Sequence, residues 1–105
     1  MNTIAQDLVA LTEKERGALE RLLAHAQRDS GQSRRVADFL LAWWNAGTCG
    51  GFDITTAWGL DQEIAEDVVT VFAFAATHNV YPDRLGYGPQ FEAVVREWRP
   101  ELAGK

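Results

Sequence analysis

Trp43-Trp44-Asn45-Ala46-Gly47-Thr48-Cys49-Gly50-Gly51-Phe52-Asp53 is the stretch whose reading decides the fold. Two large aromatics close a helical pattern, and three glycines follow within five positions. Glycine reaches positive φ without steric cost, so this run is expected to end a helix at Gly47 and form a central loop. Asp53 can cap a new helical segment on the far side. The stretch therefore reads as the joint that folds a helical hairpin onto a third long helix.

Toward the N-terminus, Val36, Ala37, Leu40, Leu41, Trp43 and Trp44 form one wide helical stripe, predicting a helix capped by Ser33 and running to about Ala46. Before it, Thr12-Glu13-Lys14-Glu15 matches a capping box, in which hydroxyl and carboxylate satisfy each other's free backbone amides. A helix over about 13 to 29 follows, with Leu19, Leu22, Leu23 and Ala26 inward and Ser30-Gly31 as its end. Residues 1 to 11 are weakly patterned. Ile4, Leu8 and Leu11 have helical spacing there and suit a short lead-in turn.

Toward the C-terminus, Ile54 to Trp58 reads as a single helical turn closed by Gly59. Asp61 is expected to cap a third long helix over about 62 to 78. In it Ile64, Val68, Val71, Phe72 and Ala75 form one stripe that Val69 and Phe74 widen, which predicts the central, most buried helix. Tyr81 to Gly88 is a turn sequence, and Pro89 suits the first position of a last helix with Phe91, Val94, Val95 and Trp98 inward and Pro100 as its stop. The fold class expected is all-α: a compact bundle of four main helices plus a short helical turn, with a glycine-rich central loop. It forms one domain over residues 12–102, preceded by the lead-in 1–11 and followed by a flexible tail at 103–105.

Size and composition bound the function. A chain of 105 residues, 47% apolar and 24% charged, supports one core. Its longest apolar stretch, Val68 to Ala76, is interrupted by Thr70 and falls short of the roughly 20 residues a membrane span needs. The first twelve residues lack a basic start followed by an apolar run, so a cytoplasmic location is expected. One cysteine excludes an internal disulfide, and with two histidines it falls short of a structural zinc site, so no cofactor or metal is expected. The net charge of −5 is uneven: residues 1–52 carry six basic and six acidic side chains, residues 53–105 four and nine. Such an acidic face repels phosphate backbones and attracts basic protein surfaces.

Candidate sites follow from these patterns. Trp43, Trp44, Asn45, Phe52, Asp53 and Trp58 bring rigid aromatics beside a loop able to expose backbone amides, the makings of an interface; Trp43 or Trp44 is the expected contact to a partner. Tyr81, Asp83 and Tyr87 could supply a polar rim, although a turn held by Asp83 accepting backbone amides is the preferred reading. Asp61, Glu63, Glu66 and Asp67 form an acidic face at a helix start, where the dipole alone accommodates them. Cys49 could serve as a nucleophile, but neither His25 nor His78 is spaced to complete a triad, and a small buried filler is the simpler reading. Gly86-Tyr87-Gly88 lacks the strand and the Gly-Lys-Ser/Thr of a phosphate loop. Arg28, Arg34 and Arg35, with Arg21, could touch phosphate, but are expected to be solvated or paired with Glu20, Asp29 and Asp38.

Arg34 through Gly47, Cys49-Gly50-Gly51-Phe52-Asp53, Tyr81-Pro82-Asp83, Leu85-Gly86-Tyr87-Gly88, Phe91 and Trp98-Arg99-Pro100-Glu101-Leu102 resemble a family of short bacterial proteins of unknown function. That resemblance spans about residues 17–102 and implies a setting on proteobacterial plasmids and integrative elements, without catalytic residues to carry over. Together these readings predict a non-enzymatic protein-interaction module. Its sharpest form is an inhibitor of a host defence, similar to an anti-CRISPR protein, whose partner offers a basic surface. The alternatives are a small nucleic-acid-binding regulator using Arg28, Arg34 and Arg35, and a small-ligand or thiol enzyme centred on Cys49.

Overall fold

Thr12 opens helix α1 (Glu13–Ala26) with a complete capping box: its hydroxyl accepts from the Glu15 amide at 3.1 Å, and the Glu15 carboxylate accepts from the Thr12 amide at 2.8 Å. The computed structural model describes residues 10–103, so most of the 1–11 lead-in, with Ile4 and Leu8, lies outside the described residues, as do Gly104 and Lys105. Helix α1 ends at Ala26, three residues before the expected boundary. The indole N–H of Trp98 donates to the free Ala26 carbonyl at 2.7 Å, satisfying a group that a helix end leaves unpaired.

Two boundaries of helix α2 (Gly31–Cys49) correct the reading of the central stretch. The cap is Ser30, not Ser33: the Ser30 hydroxyl accepts from the Ser33 amide at 3.1 Å and bonds the Ser33 hydroxyl, which lies fully buried inside the helix. At the other end the helix runs through Gly47. Its break is a kink at Asn45 (φ −162°, ψ 77°), where Oδ1 accepts from the Thr48 amide at 3.2 Å and so caps a new turn. Gly50, at φ 102°, is the true stop. Burial of Cys49 and the Arg99 guanidinium holding the Cys49 carbonyl at 3.0 Å outweigh the low helix preference of glycine.

A 3-10 turn (Ile54–Gly59) follows, with the Asp53 carboxylate accepting from the Thr55 amide and hydroxyl. Helix α3 (Gln62–Thr77) starts behind Asp61, whose side chain makes no cap bond. It is taken by Gln32, which bonds both its carboxylate and its amide. A second 3-10 turn (Pro82–Leu85) ends on Gly86 at φ 94°. Helix α4 (Gly88–Trp98) comes next, and Pro100, expected as a stop, opens the short helix α5 (Pro100–Ala103). Among the described residues the fold is thus all-α, four main helices with short helical turns, as the periodicity indicated.

Helix α1 lies between α2 and α3, with Arg21 opposite Asp67 of α3. Helix α4 packs on α2 and closes against α1. Leu19, Leu22, Val36, Leu40, Leu41, Val71, Phe74, Phe91 and Val94 fill the centre. Helix α3 is not the most buried element. Phe74 is inside, but Phe72, two residues and about 200° earlier on the helix, is 57% exposed and Val69 66% exposed. The expected stripe joined two opposite faces.

Candidate protein-interaction surface

The adjacent tryptophans are largely spent on the fold. Trp43 and Trp44 are half-buried and both meet the fully buried Phe91 edge-on, with ring centroids at 6.0 and 5.7 Å; Trp43 also meets Phe74 at 6.3 Å. The Trp43 indole N–H donates to the Val80 carbonyl at 3.2 Å, the usual way a buried tryptophan satisfies its polar atom. One edge of Trp43 remains open in a groove of about 380 Å3 that Ala76, His78 and Tyr81 help to line. Phe52 packs edge-on against Phe39 at 5.4 Å.

Trp58 is the tryptophan that faces solvent, at 84% exposed, with Ile54 beside it on the same turn at 74%. Trp58 is one of the expected interface residues, although Trp43 or Trp44 is the expected contact; Ile54 is not among them. The turn is tied down from α2. The Arg35 guanidinium donates to the Thr56 carbonyl at 2.8 Å and lies so close to Gly59 that a Cβ there would stand 2.5 Å from its atoms. Gln32 fixes the next residues through Asp61, and Asp53 closes the start, its carboxyl held below the ordinary range by bonds from Thr55. A large apolar side chain is therefore displayed on a fixed support, flanked in sequence by Asp53 and Asp61.

Between α1 and α3 lies a groove of about 360 Å3 lined by Arg21, His25, Asp61, Glu63, Ile64, Glu66 and Asp67. It gathers the whole acidic face. Asp67 is engaged: the Arg21 guanidinium grips both its oxygens at 2.9 Å. Asp61, Glu63 and Glu66 stay exposed, with Asp61 and Glu66 each bonded to a glutamine amide.

The remaining candidates scatter. Tyr87 is buried in the core, its hydroxyl donating to Glu20 at 2.8 Å and accepting from Arg16 at 3.4 Å. Burial, and then the Glu20 carboxylate, raise its pKa, with Arg16 pulling the other way. Tyr81 and Asp83 are exposed on the preceding turn, where the Asp83 backbone carbonyl accepts from Gly86. The arginine pairings also differ from expectation, because Glu20 is taken by Tyr87, Asp38 by Arg99 at 2.9 Å, and Arg21 by Asp67. Arg35 is consumed under the Trp58 turn, leaving Arg28 and Arg34 exposed. Cys49 is buried, and loss of solvent pushes its thiol up, away from the reactive thiolate. His78 stacks on Phe74 at 4.3 Å with its ring nitrogen on the Phe74 carbonyl. Among the described residues, no group of three or more His, Cys, Asp and Glu side chains is arranged to hold a metal ion, and no helix is long and apolar enough to cross a membrane.

Sequence reasoning missed Ile54, Val69 and Phe72 as exposed apolar residues. A signal existed for the last two: from Val68 to Ala76 only Thr70 is polar, so α3 is apolar on every side, a pattern that one core cannot cover. A family model, described as a family of unknown function (DUF7673), matches residues 16–99, and the chain belongs to that family. No curated protein and no solved structure matches it.

Proposed function

We propose that this DUF7673 member is a non-enzymatic protein-interaction module that docks a partner with a basic surface on its Trp58 turn. The observation that carries this reading is Trp58, 84% exposed on a turn fixed by Arg35 and Gln32. Tryptophan is among the residues most enriched at binding hot spots, and a face fixed in advance loses little entropy on docking. Its open ring face beside acidic residues suits an arginine or lysine, through cation–π attraction and carboxylate pairing together. The acidic groove between α1 and α3 extends the same preference and speeds encounter with a positive surface.

In its sharpest form the partner belongs to a host defence, and the module covers a basic surface meant for nucleic acid. The resemblance to proteins of proteobacterial plasmids and integrative elements supports that setting, and the cytoplasm is where such a partner works. Burial of the Cys49 thiol and internal use of Arg35 weigh against the thiol-enzyme and nucleic-acid readings.

The test is capture from host lysate with wild type and Trp58→Ala, at low and at raised salt. The expected partner is lost with Trp58→Ala, weakening by roughly 30-fold or more for a hot-spot tryptophan, and elutes as salt rises. Identical partner profiles for the two proteins overturn the reading.

A further inference from the structure

The outward side of α3 is the molecule's other unexplained apolar surface. Val69, Phe72, Ala73 and Ala76 are all exposed and recur at spacings of three, one and three, so they form a single ridge on the helix opposite its core side. Isolated exposed apolar residues are ordinary, whereas a ridge of this kind on a helix already apolar inside calls for a cover.

Two features of the ridge select its occupant. First, it matches itself. When two copies of α3 lie antiparallel and cross between residues 72 and 73, Phe72 of each copy meets Ala73 of the other and Val69 meets Ala76, so large side chains sit over small ones at every step. Second, its charge is polarised. Helix α3 contains no lysine or arginine, and its three carboxylates, Glu63, Glu66 and Asp67, all fall in its first two turns. Parallel pairing would stack these acids. Antiparallel pairing sets Glu66 toward the carboxylate-free C-terminal end of the other helix and keeps the two Glu66 side chains about 20 Å apart along the axis, at 1.5 Å per residue. A basic partner, by contrast, finds nothing to pair with along the uncharged ridge.

We propose that this ridge is the contact face of a symmetric homodimer in which two α3 helices pack antiparallel through Phe72 and Val69. An interface of about two helical turns is small, so the dimer is weak and concentration-dependent. Each copy carries a net charge of −5, so association is opposed by repulsion and tightens when salt screens it. That is the opposite salt dependence to the one expected for the basic partner on Trp58, and the two readings stand or fall separately.

Sedimentation equilibrium of the full chain between about 10 µM and about 1 mM, at low and raised salt, tests the proposal. The apparent mass is expected to climb from one chain toward two, at lower protein concentration when salt is high. Phe72→Glu should weaken association at least tenfold with an unchanged helical circular-dichroism spectrum, since the position is exposed, while Phe72→Leu and Trp58→Ala associate as wild type. A wild type that stays a single chain throughout overturns the proposal, including the case in which residues 1–9 cover the ridge instead. So does a dimer that Phe72→Glu leaves intact.

Discussion

Trp43 and Trp58 lie fifteen positions apart and end on opposite sides of the folding balance. Trp43, with Trp44, stands just before the kink of a helix whose inner face already holds Val36, Leu40 and Leu41, so it continues inward, finds Phe91 and Phe74, and spends its N–H on Val80. Trp58 sits on a six-residue turn with no buried residue of its own. That turn is held by hydrogen bonds from Arg35 and Gln32, which fix the backbone and leave the side chain outside. The contrast teaches that what anchors an element decides what its aromatics do: an element anchored by apolar packing consumes them, and one anchored by polar tethers can display them.

The largest effect should come from the consumed side. Phe91→Ala removes the ring that both adjacent tryptophans meet and should cost about 3–5 kcal/mol in urea unfolding, a large share of the stability of a domain this size. A loss under 1 kcal/mol would mean that Trp43 and Trp44 do not depend on this contact. Gly59→Ala addresses the tether. Its Cβ displaces the Arg35 guanidinium and with it the bond to Thr56, so we expect a loss of about 1 kcal/mol and faster hydrogen exchange over residues 54–60. The same change in an Arg35→Ala background should cost less, and a fully additive double-mutant cycle would deny the contact.

Tyr87 sharpens the boundary between the two regions, because it was grouped with the aromatics of the surface and lies with those of the core. Its folded pKa is raised, so folding favours the neutral phenol. Stability is therefore intact below the ordinary tyrosine value of about 10 and falls as pH climbs from there through the raised value. Tyr87→Phe should flatten that alkaline decline in denaturation curves, while costing about 1 kcal/mol or less near neutrality because Glu20 and Arg16 can turn to water. An unchanged alkaline slope would assign the decline to another group. The smallest stability effect belongs to Trp58→Ala, within about 0.5 kcal/mol of wild type, as befits an exposed residue on a turn without buried side chains. A loss above about 1 kcal/mol would place Trp58 on the consumed side and erase the contrast.

The regular elements were legible because their causes are local. The Thr12–Glu15 box and the 3.6-residue stripes of α1, α2 and α4 are each written within a few residues. What failed was decided at a distance. Helix α2 passes Gly47 because Arg99, fifty positions later, holds the Cys49 carbonyl. Phe72 was assigned inward because α3 offers two apolar sides and periodicity cannot say which one meets α1 and α2. The same limit hid the surface: five aromatic and acidic candidates close in sequence were separable only by the bonds of Arg35 and Gln32, which reach 21 and 29 positions along the chain.

The tethers also differ in how far they reach along the chain, and this orders events during synthesis. Arg35 needs only Thr56 to be in place, and Gln32 only Asp61, so the tethers of the turn bearing Trp58 are complete once residues up to 61 are free to fold. Trp43 and Trp44 must wait for Phe91, the end of α1 for Trp98, and the tail of α2 for Arg99. The displayed tryptophan is finished early and the enclosed pair late. A chain stalled or cleaved before α4 therefore carries a tethered Trp58 turn on an unclosed core, with two further tryptophans open to chaperones, proteases and other nascent chains.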